Sequence, residues 1–203
     1  MRVGIDIDNT LICYDKAFAS LAKKTGFDVP SSASKQETKA WFHKHGLHKE
    51  FTILQGQIYG EFIFLAHIFE GVLHFIADAI RQGHQLYLVS HKTKYPIKGH
   101  QVDLHEAAIN FLSEQNIVCN QKPNTVPLNH VYFAQTLESK VQKIADLNLD
   151  FFIDDLLVVL THEKFPETSR PIWFSSEKTC NNNPQIQRCE SWVSIYNEIL
   201  GAT

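Results

Sequence analysis

The pattern that most constrains this chain is an alternation of short apolar runs with amphipathic stretches from residue 71 onward. Leu86-Tyr87-Leu88-Val89, Val131-Tyr132-Phe133-Ala134, Phe151-Phe152-Ile153 and Pro171-Ile172-Trp173-Phe174 are the runs. They are too short for helices and too continuously apolar for strands with one wet face, so they read as strands buried on both sides. Between and after them, Val72 to Arg81 (stopped by Gly83), Leu104 to Leu112, Leu137 to Leu147 and Cys189 to Leu200 carry helical character. Near the start, Val3, Ile5 and Ile7 place β-branched residues at alternate positions of one more strand. Strands alternating with helices predict an α/β fold, a parallel sheet with helices on both faces.

The stretch from about Asp15 to Phe69 differs. Phe18, Leu21 and Ala22 give a first helix that ends near Gly26, Pro30-Ser31-Ser32-Ala33-Ser34 is a loop, and helical pattern resumes from Lys35 to His45. No strong strand interrupts it. Several short helices suit a small covering module, so residues 1–14 and 70–203 are expected to form the core and 15–69 a helical cap. There is no internal repeat and no low-complexity tract.

Composition narrows the classes. A chain of 203 residues with 44% apolar and 20% charged residues suits one well-filled core, and a formal net charge of −3 argues against a protein built to grip a nucleic-acid backbone. No apolar run reaches bilayer-spanning length, and the first residues lack the pattern of a secretory signal. Cys13, Cys119, Cys180 and Cys189 show no Cys-x-x-Cys spacing, which favours reduced thiols in a cytoplasm. A Cys180–Cys189 pair under oxidation is the lesser alternative.

The chemistry is expected where the strands end. Parallel strands bring their carboxyl ends to one edge, and ligands of open α/β sheets bind there. The first strand ends in Asp6, Asp8, Asn9 and Thr10, the second in Ser90, and the Phe151 strand in Asp154 and Asp155; the helix between carries Lys140. Two like charges about 4 Å apart repel by about 4 kcal/mol at an effective dielectric near 20, so four carboxylates in one volume call for a cation. Oxygen ligands suit magnesium, and the hydroxyls of Thr10 and Ser90 with the Lys140 ammonium complement phosphate oxygens. A carboxylate nucleophile, a metal, hydroxyls and a lysine are the parts of phosphoryl transfer through an aspartyl-phosphate.

This order, Asp-x-Asp-x-Thr after the first strand, Ser after the second, Lys on a helix and Asp-Asp after a later strand, resembles the haloacid dehalogenase superfamily over roughly 1–14 and 71–160. The resemblance implies a Rossmann-like core with a small helical cap inserted after the first strand. By position, it makes Asp6 the nucleophile, Asp8 the general acid and base, and Thr10, Ser90 and Lys140 the phosphate-binding groups. Magnesium would then be held by Asp6, the Asp8 carbonyl, Asp154 and Asp155. An acid two residues after the nucleophile implies a phosphatase or phosphotransferase, and a cap of this size closes over little, so the expectation is a phosphomonoester hydrolase acting on a small phosphorylated metabolite. A phosphotransferase or mutase on the same Asp6, a non-catalytic binding protein of this fold, and a 3′-end nucleic-acid phosphatase are the alternatives. No acid follows Asp155 in Leu156-Leu157-Val158-Val159, where many members carry one.

Other residues invite weaker readings. Lys143, one turn after Lys140, competes with it for the phosphate side. Asn9, Tyr14, His91 and Lys92 are candidate substrate contacts; Lys92, Lys94 and Lys98 with His91 could steer an anionic substrate, and suit an exposed polar loop equally well or better. Gln55, Gln57 and Tyr59 could line a cap pocket, although the aromatic residues between Phe51 and Phe69 suit cap core better. His43, His45 and His48 lack metal-ligand spacing and read as a solvated face.

Overall fold

The structure, a computed structural model, describes residues 1–175 and 186–201. In chain order its elements are β1 (Arg2–Ile5), β2 (Ile12–Cys13), α1 (Asp15–Lys24), α2 (Lys35–Lys44), α3 (His48–Tyr59) and β3 (His67–Ile68). There follow α4 (Val72–Arg81), β4 (Gln85–His91), α5 (Leu104–Glu114), β5 (Val131–Ala134), α6 (Leu137–Asp146) and β6 (Phe151–Asp154). The short α7 (Leu157–Leu160), β7 (Arg170–Phe174), β8 (Gln187–Cys189) and α8 (Trp192–Ile199) complete the list. The chain divides into two compact units, one of Met1–Leu11, Phe69–Lys92 and Gln115–Thr203, the other of Ile12–Ile68 and Thr93–Glu114.

The first unit holds a six-stranded parallel sheet in the order β5-β4-β1-β6-β7-β8. β1 lies inside it, with Val3 facing Leu86 of β4 and Phe151 of β6. Its one glycine has a packing reason. A Cβ on Gly4 would run into the Leu149 side chain and come within 2.6 Å of Phe152 Cδ2. One face of the sheet carries a core of Tyr87, Val89, Val141, Ile144, Phe152 and Trp173 among others. Two helices here start sharply, because Thr136 with Ser139, and Ser191 with Ser194, satisfy the first exposed backbone N–H groups reciprocally. Trp192, the first residue of α8, is buried against Phe75 of α4, with ring centroids 5.2 Å apart.

The second unit packs α1, α2 and α3 through aromatic contacts. Phe18 stacks on Phe51 at 5.6 Å, Phe27 meets Phe42 at 4.7 Å, and Tyr14 stands edge-on to Tyr59 at 4.8 Å. β2 and β3 pair antiparallel beside them.

Several sequence expectations need correction. Residues 93–114, expected with the core, belong to the second unit. A Cβ on Gly56 would lie 2.8 Å from Pro96, and one on Gly60 would overlap Val102 and come within 3.2 Å of Leu104, so this segment is packed tightly onto α3. β1 ends at Ile5 rather than Ile7, although Ile7 stays buried. β8 was not expected, since Gln187-Arg188-Cys189 has no apolar run; as an edge strand it needs none on its outer side. β2 and β3, two residues each, are too short to leave a periodicity. Cys13, Cys119 and Cys189 are free thiols, and Cys180 lies outside the described residues.

Candidate active site

The parallel register brings the predicted residues to one edge of the first unit. Ile5 pairs with both Leu88 and Ile153, so Asp6, Ser90 and Asp154 follow at neighbouring strand ends. The Asp6 amide continues the ladder, donating to the Ile153 carbonyl at 2.9 Å. The chain then reverses. Asn9 adopts φ 62°, a left-handed conformation that asparagine tolerates better than most residues, and the Leu11 amide donates back to the Ile7 carbonyl at 3.0 Å. The turn is held from outside by the Trp192 indole N–H, which donates to the Thr10 carbonyl at 3.0 Å.

At the centre is an ion triad. Lys140, 1% exposed, donates to Asp6 Oδ1 and to Asp154 Oδ2, both at 2.6 Å. Asp154 Oδ1 accepts the Leu156 amide at 2.9 Å. Burial alone would push the Lys140 ammonium down, but the Asp154 and Asp6 carboxylates outweigh it and raise it well above the ordinary lysine range, so it stays charged. Burial drives the Asp6 carboxyl well above its usual range; Lys140 opposes this, while Asp154, Asp155 and Asp8 add to it. One ammonium, Lys140, is too little positive charge for Asp6, Asp154 and Asp155 together.

The donor set suits a hard divalent cation. One carboxylate oxygen from each of Asp6, Asp154 and Asp155 lies within 4.8 Å of the others, and this is the one such cluster among the described residues. The Trp173 indole steadies the third member by donating to the Asp155 carbonyl at 3.0 Å. The hydroxyls of Thr10 and Ser90 are buried, and neither has a hydrogen-bond partner among the described residues. Buried polar atoms are costly to leave unpaired, so two of them at one strand edge mark a place for an acceptor-rich ligand.

The remaining predicted residues separate. Lys143 lies over the Tyr132 ring at 5.0 Å, which leaves Lys140 as the lysine at the acids. The Asp8 carboxylate is outside the acid cluster. It is held instead by Lys92, whose Nζ donates to Oδ1 at 2.9 Å and Oδ2 at 2.7 Å. Lys92 is buried, against the exposed-loop reading, whereas Lys94 is exposed and pairs with Asp103 at 3.4 Å. His91 is exposed at the end of β4, its Nε2 3.2 Å from the Gln135 carbonyl oxygen. Tyr14, read as a substrate contact, is a fully buried core side chain of the second unit. His43, His45 and His48 form no metal cluster; His45 stacks on Trp41 at 4.0 Å. Sequence reasoning missed Trp173 and Trp192, since a lone indole in a strand or at a helix start looks like any core residue.

No family model and no curated protein matches the sequence. Solved structures do. A haloacid dehalogenase superfamily hydrolase from Ehrlichia chaffeensis superposes with TM-score 0.55 at 16% identity, covering 98% of this chain and 96% of that one. A conserved haloacid dehalogenase-like protein from Agrobacterium tumefaciens gives 0.56 at 13%, with 99% and 98% covered. The chain has the haloacid dehalogenase fold. The archaeal β-phosphoglucomutase of Pyrococcus sp. strain ST 04 shares this fold, with TM-score 0.51 at 13% identity over 100% and 99% of the two chains. Within the haloacid dehalogenase fold, the acid cluster, Lys140 and the two buried hydroxyls all belong to the sheet-bearing unit.

Proposed function

We propose that the protein is a magnesium-dependent phosphomonoester hydrolase of the haloacid dehalogenase superfamily, acting on a small phosphorylated metabolite. The observation that carries this is Asp6, buried and sharing Lys140 with Asp154 at the edge where Thr10 and Ser90 offer hydroxyls without a partner among the described residues. Asp6 attacks phosphorus, and the bond from phosphorus to the leaving oxygen breaks with its electron pair passing to that oxygen. Asp8 supplies the proton the leaving oxygen takes up. Water then attacks the phosphorus of the Asp6 acyl phosphate and gives its proton to Asp8. The bond from phosphorus to Asp6 breaks, and inorganic phosphate departs. Thr10 and Ser90 donate to the phosphoryl oxygens and Lys140 offsets charge between them and Asp6. Asp6, Asp154 and Asp155, with the Asp8 carbonyl, would hold magnesium, which when bound offsets the charge of the phosphoryl group. We assign Asn9, in the turn after β1, and His91, at the end of β4, as substrate contacts. We assign the second unit the role of cap and the protein a cytoplasmic setting.

The test is phosphate release from a panel of sugar phosphates, nucleotides and phosphorylated acids, with magnesium, with chelator, and with Asp6→Asn. Turnover is expected to need both magnesium and Asp6, the variant losing at least about a thousandfold. Undiminished turnover by Asp6→Asn would sink the aspartyl-phosphate route. Transfer of phosphate to a second hydroxyl in preference to water would make the enzyme a phosphotransferase on the same residue.

A further inference from the structure

The contact between Lys92 and Asp8 has no part in the steps above. Its geometry is unusual for a lysine from a stretch as polar as His91-Lys92-Thr93-Lys94. The side chains of Lys92 and Asp8 are 3% and 14% exposed, and the ammonium meets both carboxylate oxygens rather than one. The lysine is held at its other end as well. Its amide donates to the Ala134 carbonyl at 3.0 Å, one residue beyond the pairing of His91 with Ala134, so the β4–β5 ladder fixes its backbone. A lysine has a long stem with much rotamer freedom, and ordering it under burial is unfavourable unless its charge is met. Asp8 meets it, and in return loses the freedom of its own carboxylate.

The charges in the unit divide into two sets. Lys140 serves Asp6 and Asp154, the acids of the attacking and cation-binding side. Lys92 serves Asp8, the acid of the proton-transferring side. The lysine stands two residues after Ser90, so one segment of chain carries both a hydroxyl for the phosphoryl group and the anchor of Asp8. Movement of that segment would move both together.

We propose that Lys92 is the positioning residue for Asp8 in the hydrolytic half of the reaction. It clamps the carboxylate so that an oxygen stands ready to take the proton of the water that attacks the Asp6 acyl phosphate. The proposal rests on the phosphatase reading above. In the step concerned, an O–H bond of water breaks, its proton goes to Asp8, the water oxygen bonds to phosphorus, and the bond from phosphorus to Asp6 breaks. A misplaced Asp8 slows this step for every substrate alike, because the acyl phosphate is common to all of them.

The experiment is rapid-mixing kinetics of Lys92→Met and Lys92→Gln, with p-nitrophenyl phosphate and an alkyl phosphate ester as substrates, each variant checked for folding by circular dichroism. Lys92→Met is expected to lower kcat by about a hundredfold, within the usual range for disabling a proton-transfer group. It should release a burst of p-nitrophenol stoichiometric with enzyme, since that leaving oxygen needs little help from a general acid, and the alkyl ester, whose leaving oxygen takes its proton from Asp8, should lose more in kcat than the aryl ester. Lys92→Gln, which keeps one donor, should lie between it and the wild type. Equal falls in kcat and kcat/KM with no burst would overturn the proposal, as that is what a merely structural lysine gives. Should the wild-type protein hydrolyse neither ester, the phosphatase reading fails first, and a thermal-denaturation cycle of Lys92→Met and Asp8→Asn still decides the clamp. Strongly non-additive shifts in Tm support it, and additive shifts refute it.

Discussion

Thr10 and Ser90 illustrate how a residue can be kept against the interest of stability. Each buries a hydroxyl that has no hydrogen-bond partner among the described residues. Replacing such a hydroxyl by an apolar group removes a desolvation cost of about 1–3 kcal/mol. Thr10→Val and Ser90→Ala are therefore expected to leave Tm unchanged or raise it by a few degrees. Activity should move the other way, falling by about a hundredfold as when one donor to a developing charge is lost. A calorimetric scan beside a phosphate-release assay checks both directions, and a drop in Tm would show that the hydroxyls are paired in solution. At this scale the sequence was informative where a polar residue follows a strong pattern. Asp6, Ser90 and Asp154 each come directly after a β-rich run, so their place at the sheet edge could be read off. Lys92 could not, because its burial depends on Asp8, 84 positions earlier, and its neighbours have the composition of an exposed loop. Lys140 and Lys143 share one helix, and nothing short of the helix's docking angle tells which of them reaches Asp6.

Among the elements, β1 carries the tightest packing constraint. Gly4 leaves no room for a methyl group against Leu149 and Phe152, and Phe152 is fully buried on the neighbouring strand. Gly4→Ala is expected to destabilise the fold by about 1–3 kcal/mol, the usual cost of overpacking, measured as a lower midpoint in urea. A midpoint unchanged from wild type would mean that β1 and β6 can slide apart at no cost. The buried strands and the helices α4, α5 and α6 were legible because periodicity over ten or so residues is hard to mistake. The two-residue strands β2 and β3 and the edge strand β8 were not. Their pairing is imposed by the elements around them, and their own residues show no alternation. The transfer of 93–114 to the second unit escaped for a similar reason. What binds that segment is the absence of side chains at Gly56 and Gly60, which sequence pattern reads as helix breaking.

For the molecule as a whole, the proposed magnesium site would link folding to metal. Asp6, Asp154 and Asp155 come from two strand ends that must be adjacent before their oxygens can converge. Magnesium should therefore bind the folded state and raise Tm. At a free concentration a hundred times Kd the gain is about 2.7 kcal/mol, and Asp154→Asn should abolish it. A Tm indifferent to magnesium in the wild type would remove the metal from the proposed mechanism. The same strand has a further consequence, for synthesis. β1 emerges from the ribosome long before either strand that flanks it, since Val3 pairs with Leu86 on one side and Phe151 on the other. At about 5–20 residues per second, roughly 7–30 s pass between the appearance of Val3 and of Phe151. Throughout that interval the future centre of the sheet is an apolar segment with at least one open edge, so the nascent chain has reason to be a client of chaperones that shield such segments.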